Sequence, residues 1–177
     1  NTADSLTTGY NSIAIGKNAL GAATNACLNI AIGELALGTG VLACGGVGQA
    51  EGNIAIGESA LTNMTTGSNN IGFGVYSGDA ITVGTDNIAI GQLALSAATT
   101  NLDNIAIGRS ALAVSADDAD QNIAIGMTAM GGSDVSGFNN IAIGANAADA
   151  LLAGACNIAM GKNALGASQA GTYNIAM

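Results

Sequence analysis

The stretch Asn104-Ile105-Ala106-Ile107-Gly108-Arg109-Ser110-Ala111-Leu112 decides how this chain folds, because its pattern returns from end to end of the sequence. Internal repetition of this kind must be interpreted first, since it fixes the architecture. Successive copies begin 17, 24, 17, 17, 17, 18, 18, 17 and 17 residues apart. The other nine copies, some of them degenerate, begin at Ser12, Asn29, Asn53, Asn70, Asn87, Asn122, Asn140, Asn157 and Asn174.

Each copy follows the same pattern when its first residue is counted as position zero. Asn holds position zero in nine of ten copies, Ile always holds position one, and Gly holds position four in every copy that reaches it. Position two is Ala except at Gly72, position seven is Ala except at Ser77, and position eight is Leu or Met in seven of nine copies. The Ile-Ala-Ile alternation predicts a short strand, and the glycine predicts a tight corner or a positive φ after it.

A period of 17 or 18 residues is too short for a βαβ unit or a pair of helices. Strands of three residues are unstable alone, so each strand must pair with its copies in the coils above and below. The sequence therefore predicts an all-β parallel β-solenoid of about ten coils, a single domain over residues 1–177 and a rod about 45 Å long. The spacing of 24 comes from an insertion around residues 41–52, which we expect to bulge from one corner.

The repeated Asn-Ile-Ala-Ile-Gly-x-x-Ala-Leu string resembles the head repeats of trimeric autotransporter adhesins (YadA-like heads) and related bacteriophage tail-fibre repeats. This resemblance implies a left-handed β-roll or β-helix, three chains side by side, and display at a cell or virion surface. The adhesin repeat is usually shorter, so the coil here is expected to be wider. Residues 107–112 also resemble one hexapeptide of the left-handed β-helices of acyltransferases, but position nine lacks the next aliphatic residue.

Composition excludes several functions. The formal net charge is −9, and the basic residues are only Lys17, Arg109 and Lys162, so nucleic acid and anionic membrane surfaces are poor partners. No uninterrupted apolar run is long enough to cross a bilayer. The chain contains no His, no recognisable pair of catalytic carboxylates and no phosphate loop, so we expect that it is not an enzyme.

Two columns of identical residues are the main structural candidates. Asn at position zero suits turns, and its amide can bond to its own copy in the next coil. This predicted ladder comprises Asn29, Asn53, Asn70, Asn87, Asn104, Asn122, Asn140, Asn157 and Asn174.

Position two is the candidate interface. If the Ile side chains at positions one and three face inward, the Ala side chains face outward and form an apolar stripe that a partner would cover. We therefore predict a homotrimer or a head-to-tail filament built on this stripe of Ala14, Ala31, Ala55, Ala89, Ala106, Ala124, Ala142 and Ala159.

Acidic residues and cysteines give weaker candidates. Asp86, Asp103 and Asp120 lie near one corner in consecutive coils, where bound Ca²⁺ is one interpretation and a hydrated corner the favoured one; no other cofactor is expected. Cys27 and Cys44 each lie fifteen residues after their motif start, so a disulfide between neighbouring coils is a candidate that depends on how far the insertion displaces Cys44; it would leave Cys156 free.

The favoured function is a structural fibre or adhesin segment of an extracellular, cell-surface or virion filament that spaces or presents a receptor-binding part. The alternative is a solenoid whose flank binds glycan, mineral or ice. Thr pairs at 7–8, 65–66 and 99–100 bear on the alternative, but they are not in neighbouring coils, so no continuous array forms. Both ends stop on pattern without a cap, which predicts either a segment of a longer fibre or head-to-tail stacking.

Overall fold

A computed structural model describes residues 2–3, 9–42, 44–45, 49–115, 119–133 and 135–177. Its regular structure there consists of ten short strands, and no helix occurs among these residues. The strands are β1 Ile13–Ile15, β2 Ile30–Ile32, β3 Ile54–Ile56, β4 Ile71–Phe73, β5 Ile88–Ile90, β6 Ile105–Ile107, β7 Ile123–Ile125, β8 Ile141–Ile143, β9 Ile158–Met160 and β10 Ile175–Ala176.

All ten strands form one parallel sheet in sequence order, which winds the chain into a solenoid of about nine turns. Equivalent positions pair with each other throughout, as Ala106 does with Ala124 between β6 and β7. The register survives the insertion, because Ile30 of β2 still pairs with Ile54 of β3. The predicted parallel β-solenoid is therefore confirmed, and the extra residues of the insertion are accommodated outside the sheet.

The prediction of which strand residues face inward was wrong. The Ala side chains at position two are buried in the core, as at Ala106, and the flanking Ile105 and Ile107 are only partly buried. The interior of the coil is too thin for two large side chains per strand. At Gly72, an added Cβ would lie 2.8 Å from Leu61 Cγ and 3.1 Å from the Ser77 carbonyl oxygen, so position two packs directly against positions eight and seven. The stripe from Ala14 to Ala159 is thus part of the core and offers no outer surface, with Ala14 itself half-buried in the first coil.

The connectors bury every third residue, a period that the sequence interpretation missed. In the third coil Leu61, Met64, Gly67 and Asn70 all point inward, and the residues between them are half-buried or exposed. The core therefore contains the Asn at position zero, the Ala at positions two and seven, the residue at position eight and these small or apolar connector residues. The result is the thin, repetitive core that the small-residue composition predicts.

The corners depend on left-handed backbone. Glycine at position four has φ between +119° and +137°, and an added Cβ at Gly108 would lie 2.5 Å from the carbonyl oxygen of Gly126 in the next coil. Non-glycine residues also adopt positive φ, for example Ser110 at 56° and Leu112 at 48°. Each such residue costs about 1–2 kcal/mol. Hydrogen bonds between coils offset this cost: Ser110 N donates to Gln92 O at 2.9 Å, and Leu112 N donates to Ala129 O at 3.0 Å.

Candidate interaction surface

The outer surface of the ten-stranded sheet carries two columns of large apolar side chains, which we call the isoleucine face. Its first column is position one of every strand, and Ile occupies it in all ten. Its second column is position three, where Phe73 and Met160 replace Ile. Exposure is greatest in the terminal strands, at 58% for Ile15 and 69% for Ile175, and is 51% at Phe73; most of the other side chains of the face are partly buried.

The isoleucine face is large and continuous. Ten strands about 4.8 Å apart and about 10 Å wide give it a flat area of roughly 450 Å². That is the size of the largest apolar patch on a typical monomer, and patches of this size are often functional. Because position two points into the core, no polar side chain from the strands interrupts the two columns.

The two long edges of this face differ in charge. At the edge where the strands begin, which we call the acidic edge, Asp86 and Asp103 immediately precede their motifs and are exposed, and Asp120 lies one residue earlier in the next coil. At the opposite edge, position five follows the corner glycine; we call this the position-five edge. It carries the basic residues Lys17, Arg109 and Lys162 and the acidic residues Glu34 and Glu58 among uncharged ones.

Only one ion pair forms among the described residues, and it lies on the position-five edge. Lys17 Nζ is 2.9 Å from Glu34 Oε1 in the next coil, and the hydrogen bond and charge of Glu34 raise the pKa of Lys17. Arg109 has no carboxylate partner in the described part of the chain; its Nη2 instead donates to Met127 Sδ at 3.0 Å. The exposed Asp103 carboxylate likewise has no side-chain partner there.

The predicted Ca²⁺ candidates do not converge. Asp86 Oδ1 accepts a hydrogen bond from Asn69 Nδ2 at 3.1 Å, and Asp120 Oδ1 accepts one from the Leu102 backbone N–H at 2.8 Å. No group of three potential metal ligands occurs among the described residues. Asp117 and Asp118 lie outside them. The calcium site therefore remains a prediction that no observed geometry supports.

The Asn column is an internal ladder rather than a ligand surface. From Asn29 to Asn157 its members are almost fully buried. Each side-chain oxygen accepts from the next copy: Asn53 Oδ1 accepts from the backbone N–H of Asn70 at 2.9 Å and from its Nδ2 at 3.1 Å. The same Nδ2 of Asn70 also donates to the Gly84 carbonyl at 2.8 Å. The amide group of Asn70 therefore bonds to the preceding coil through Asn53 and to the following coil through Gly84.

Cys27 and Cys44 are joined in a disulfide, with Cα atoms 5.8 Å apart. The bond ties the start of the insertion to the preceding coil, where Asn25 Nδ2 also donates to the Cys44 carbonyl at 3.1 Å. Further along the insertion, the Ser68 hydroxyl donates to the Gln49 carbonyl. Cys156 is free and half-buried on the acidic edge.

Threonines stack over three consecutive coils, which bears on the alternative surface-binding role. Thr65 Oγ1 donates to the Thr82 carbonyl at 3.0 Å, and Thr82 Oγ1 donates to the Thr99 carbonyl at 3.2 Å. Thr82 is followed by Val83 rather than by a second Thr, so the outer column beside it is mixed. Thr7 and Thr8 lie outside the described residues. The hydroxyl groups of Thr65 and Thr82 thus bond along the rod to the backbone.

The fold places the chain in the class of parallel β-solenoids, and comparison with known proteins assigns it no family within that class. No protein-family model matches the chain, and no curated protein or solved structure is similar enough to count as a match. Within the described residues there is no helix long and apolar enough to cross a membrane.

The candidate surface that sequence reasoning missed is the isoleucine face itself. Its residues were recognised as the strand motif but were assigned to the interior. The signal that could have identified it is in the connectors, where a Leu, a small residue or an Asn returns at every third position. These side chains already fill the coil, which leaves the Ile side chains on the outside.

Proposed function

We propose that this chain is a structural segment of an extracellular or virion-surface fibre, in which three copies associate side by side through their isoleucine faces. Its role is to space or present a receptor-binding part, and the proposal assigns it no catalysis. The observation that supports it best is the isoleucine face, which continues without a polar strand residue across all ten strands.

Periodicity favours a second copy of this chain as the partner. The face repeats with the coil spacing of about 4.8 Å, and another copy presents the same side chains at the same spacing. A stable interface buries about 800 Å² on each partner. One flat face of roughly 450 Å² approaches that figure only with its edges included. In a ring of three, each chain would use both edges, one against each neighbour.

Two further observations agree with a surface fibre. The disulfide between Cys27 and Cys44 suits an oxidising compartment, since disulfides persist outside the cytosol. The resemblance of the repeat to trimeric adhesin heads also favours three chains.

The test is to make the isoleucine face polar without touching the core. The variant Ile88→Ser, Ile105→Ser, Ile123→Ser changes position one in three coils. A matched control, Val83→Ser, Val114→Ser, Leu152→Ser, removes connector side chains that are 43%, 45% and 37% exposed. Light scattering after size exclusion should show that the face variant dissociates to folded or partly folded monomers, whereas the control keeps the native mass.

Circular dichroism on the same samples separates loss of association from loss of fold. If the face variant and the control keep the same mass as the unmodified chain, the isoleucine face is not the interface and the proposal fails.

A further inference from the structure

We propose that Met160 and Met177 make the isoleucine face sensitive to oxidation, and that a peroxide which converts them to methionine sulfoxide prevents neighbouring chains from associating. This inference rests on the proposed function, because it names a chemical control on the surface through which the chains associate. At position three, Ile occupies every other coil except the one that carries Phe73, and the two methionines follow one another in consecutive coils.

Exposure separates the methionines of the face from those of the core. Met160 is 43% exposed in the second column of the isoleucine face, and Met177, which directly follows β10 and continues that column, is 93% exposed. Met64 and Met130 are fully buried. Because a dissolved oxidant must reach the sulfur, the methionines of the face should react and those of the core should not.

The surroundings of Met160 make a polar group costly there. Its neighbours in the face are Ile158 in the same strand and Ile143 in β8, so the second chain would cover Met160 among aliphatic side chains. Met127 is a useful contrast, because it is 44% exposed but lies on the position-five edge. There its Sδ accepts a hydrogen bond from Arg109 Nη2 at 3.0 Å, so a sulfoxide oxygen would have a charged donor beside it.

The reaction is the transfer of one oxygen atom to the thioether. With hydrogen peroxide, the sulfur of Met160 attacks one oxygen, the S–O bond forms as the O–O bond breaks, and the second oxygen leaves as water with both hydrogen atoms. The sulfur loses two electrons and the peroxide gains them. The product is a polar side chain with a strong hydrogen-bond acceptor. Covering that acceptor with an aliphatic face removes it from water without a partner, which opposes association.

The modification should leave the solenoid itself folded. In β9 only the middle residue, Ala159, points into the core, while Met160 points outward. A larger polar group on Met160 therefore does not enter the interior of the coil. The effect of oxidation should be confined to contacts between chains.

Peroxide treatment of three proteins tests the inference: the unmodified chain, the double variant Met160→Ile, Met177→Ile, and the control Met127→Leu. The double variant introduces the residue that most coils carry at position three. After treatment, sedimentation equilibrium should show association weakened roughly tenfold or more for the unmodified chain and the control, and unchanged for the double variant. Peptide mass spectrometry of the unmodified chain should find sulfoxide at Met160 while Met64 and Met130 stay reduced.

The other outcomes contradict the inference. It is overturned if peroxide weakens the double variant as much as the unmodified chain, or if the unmodified chain with Met160 oxidised associates as before. Loss of the β-sheet signal in circular dichroism would also overturn it, because oxidation would then act on the fold. In each of these cases a trimeric mass before treatment leaves the proposed function standing, whereas a monomeric mass before treatment removes both together.

Discussion

The isoleucine face and the connectors follow opposite rules. The face repeats almost without change from β1 to β10, yet its side chains lie on the outer surface of the solenoid. The connectors vary from coil to coil, yet together with position eight, here Leu61, they supply the largest buried side chains, including Met64 and Ile81. Full burial inside one chain therefore does not explain the regularity of the face, whereas the association of identical copies proposed above would require it.

The connectors can vary because a coil needs only a fixed volume of side chain. Leu95 at position eight is followed by Ala98 at position eleven, and in another coil Ala148 is followed by Leu151. Where Leu61 and Met64 are both large, the next coil contributes Gly72 and Gly78. An added Cβ at Gly78 would lie 2.7 Å from Leu61 Cδ2, so this compensation extends between coils.

The largest expected effect comes from placing a charge on the inner side of a strand. Ala106→Glu would bury a carboxylate among core side chains, at a cost of several kcal/mol, and should unfold the chain. Ile105→Glu, one residue away on the outer side, should keep the β-sheet signal and weaken association instead. Circular dichroism and light scattering on both variants check this, and a folded Ala106→Glu protein would contradict the assignment of the core.

Leu61→Ala should destabilise the chain by about 2–5 kcal/mol, as expected for a fully buried leucine. Gly78→Ala should also destabilise it, because its Cβ would contact the Leu61 side chain. The double variant should lose less than the sum of the two, with a coupling of about 0.5–3 kcal/mol. Denaturant unfolding of the four proteins at one protein concentration measures this, and strictly additive losses would show that the coils do not share volume.

Asn104→Ala tests the internal ladder. It removes the acceptor of the Asn122 N–H at 2.9 Å and the donor to the Ala119 carbonyl at 2.7 Å. A buried group left without a partner costs about 1–3 kcal/mol. The exposed Asn63→Ala, which loses a bond to the Asp79 carbonyl at 2.8 Å, is the control and should cost less. Equal losses of thermal stability would mean that burial adds nothing to the ladder.

The smallest expected effect concerns Asp79, one connector carboxyl that is partly buried. Burial raises the pKa of Asp79, and its Oδ1 has no hydrogen-bond partner among the described residues. A raised folded-state pKa means that the favourable contribution of this group is present below the unfolded-state pKa and is lost as the pH rises through the folded-state pKa. Asp79→Asn should therefore stabilise the chain at pH 7, by roughly 0.5 kcal/mol or less after solvent screening, and change nothing near pH 3. Thermal unfolding at both pH values checks this; stabilisation at pH 3 alone would contradict it.

The sequence predicted the parts of the fold that depend on local pattern. The spacing of the copies and the Ile-Ala-Ile alternation predicted ten strands in parallel register, and Gly108 and its equivalents were expected at corners with positive φ. The offset shared by Cys27 and Cys44 singled out the one candidate pair, and the structure joins it.

The side of the strand that faces the core could not be read from the alternation. Both Ile105 and Ala106 are apolar, so a period of two shows that the two sides differ without showing which is inner. That depends on the width of the coil, which the connectors set by burying positions such as Leu112 and Ala119. A search for regularly spaced large apolar residues does not find this three-residue period, because Gly, Ala and Asn occupy many of the buried positions.

Sedimentation equilibrium of the unmodified chain tests the central claim most directly. If the isoleucine face is regular because identical neighbours cover it, three chains of 17.0 kDa should sediment together at about 51 kDa at micromolar concentration. The mass should fall toward that of one chain when the face is made polar. A single species of 17.0 kDa for the unmodified chain would show that the face stays exposed to water and would contradict the account.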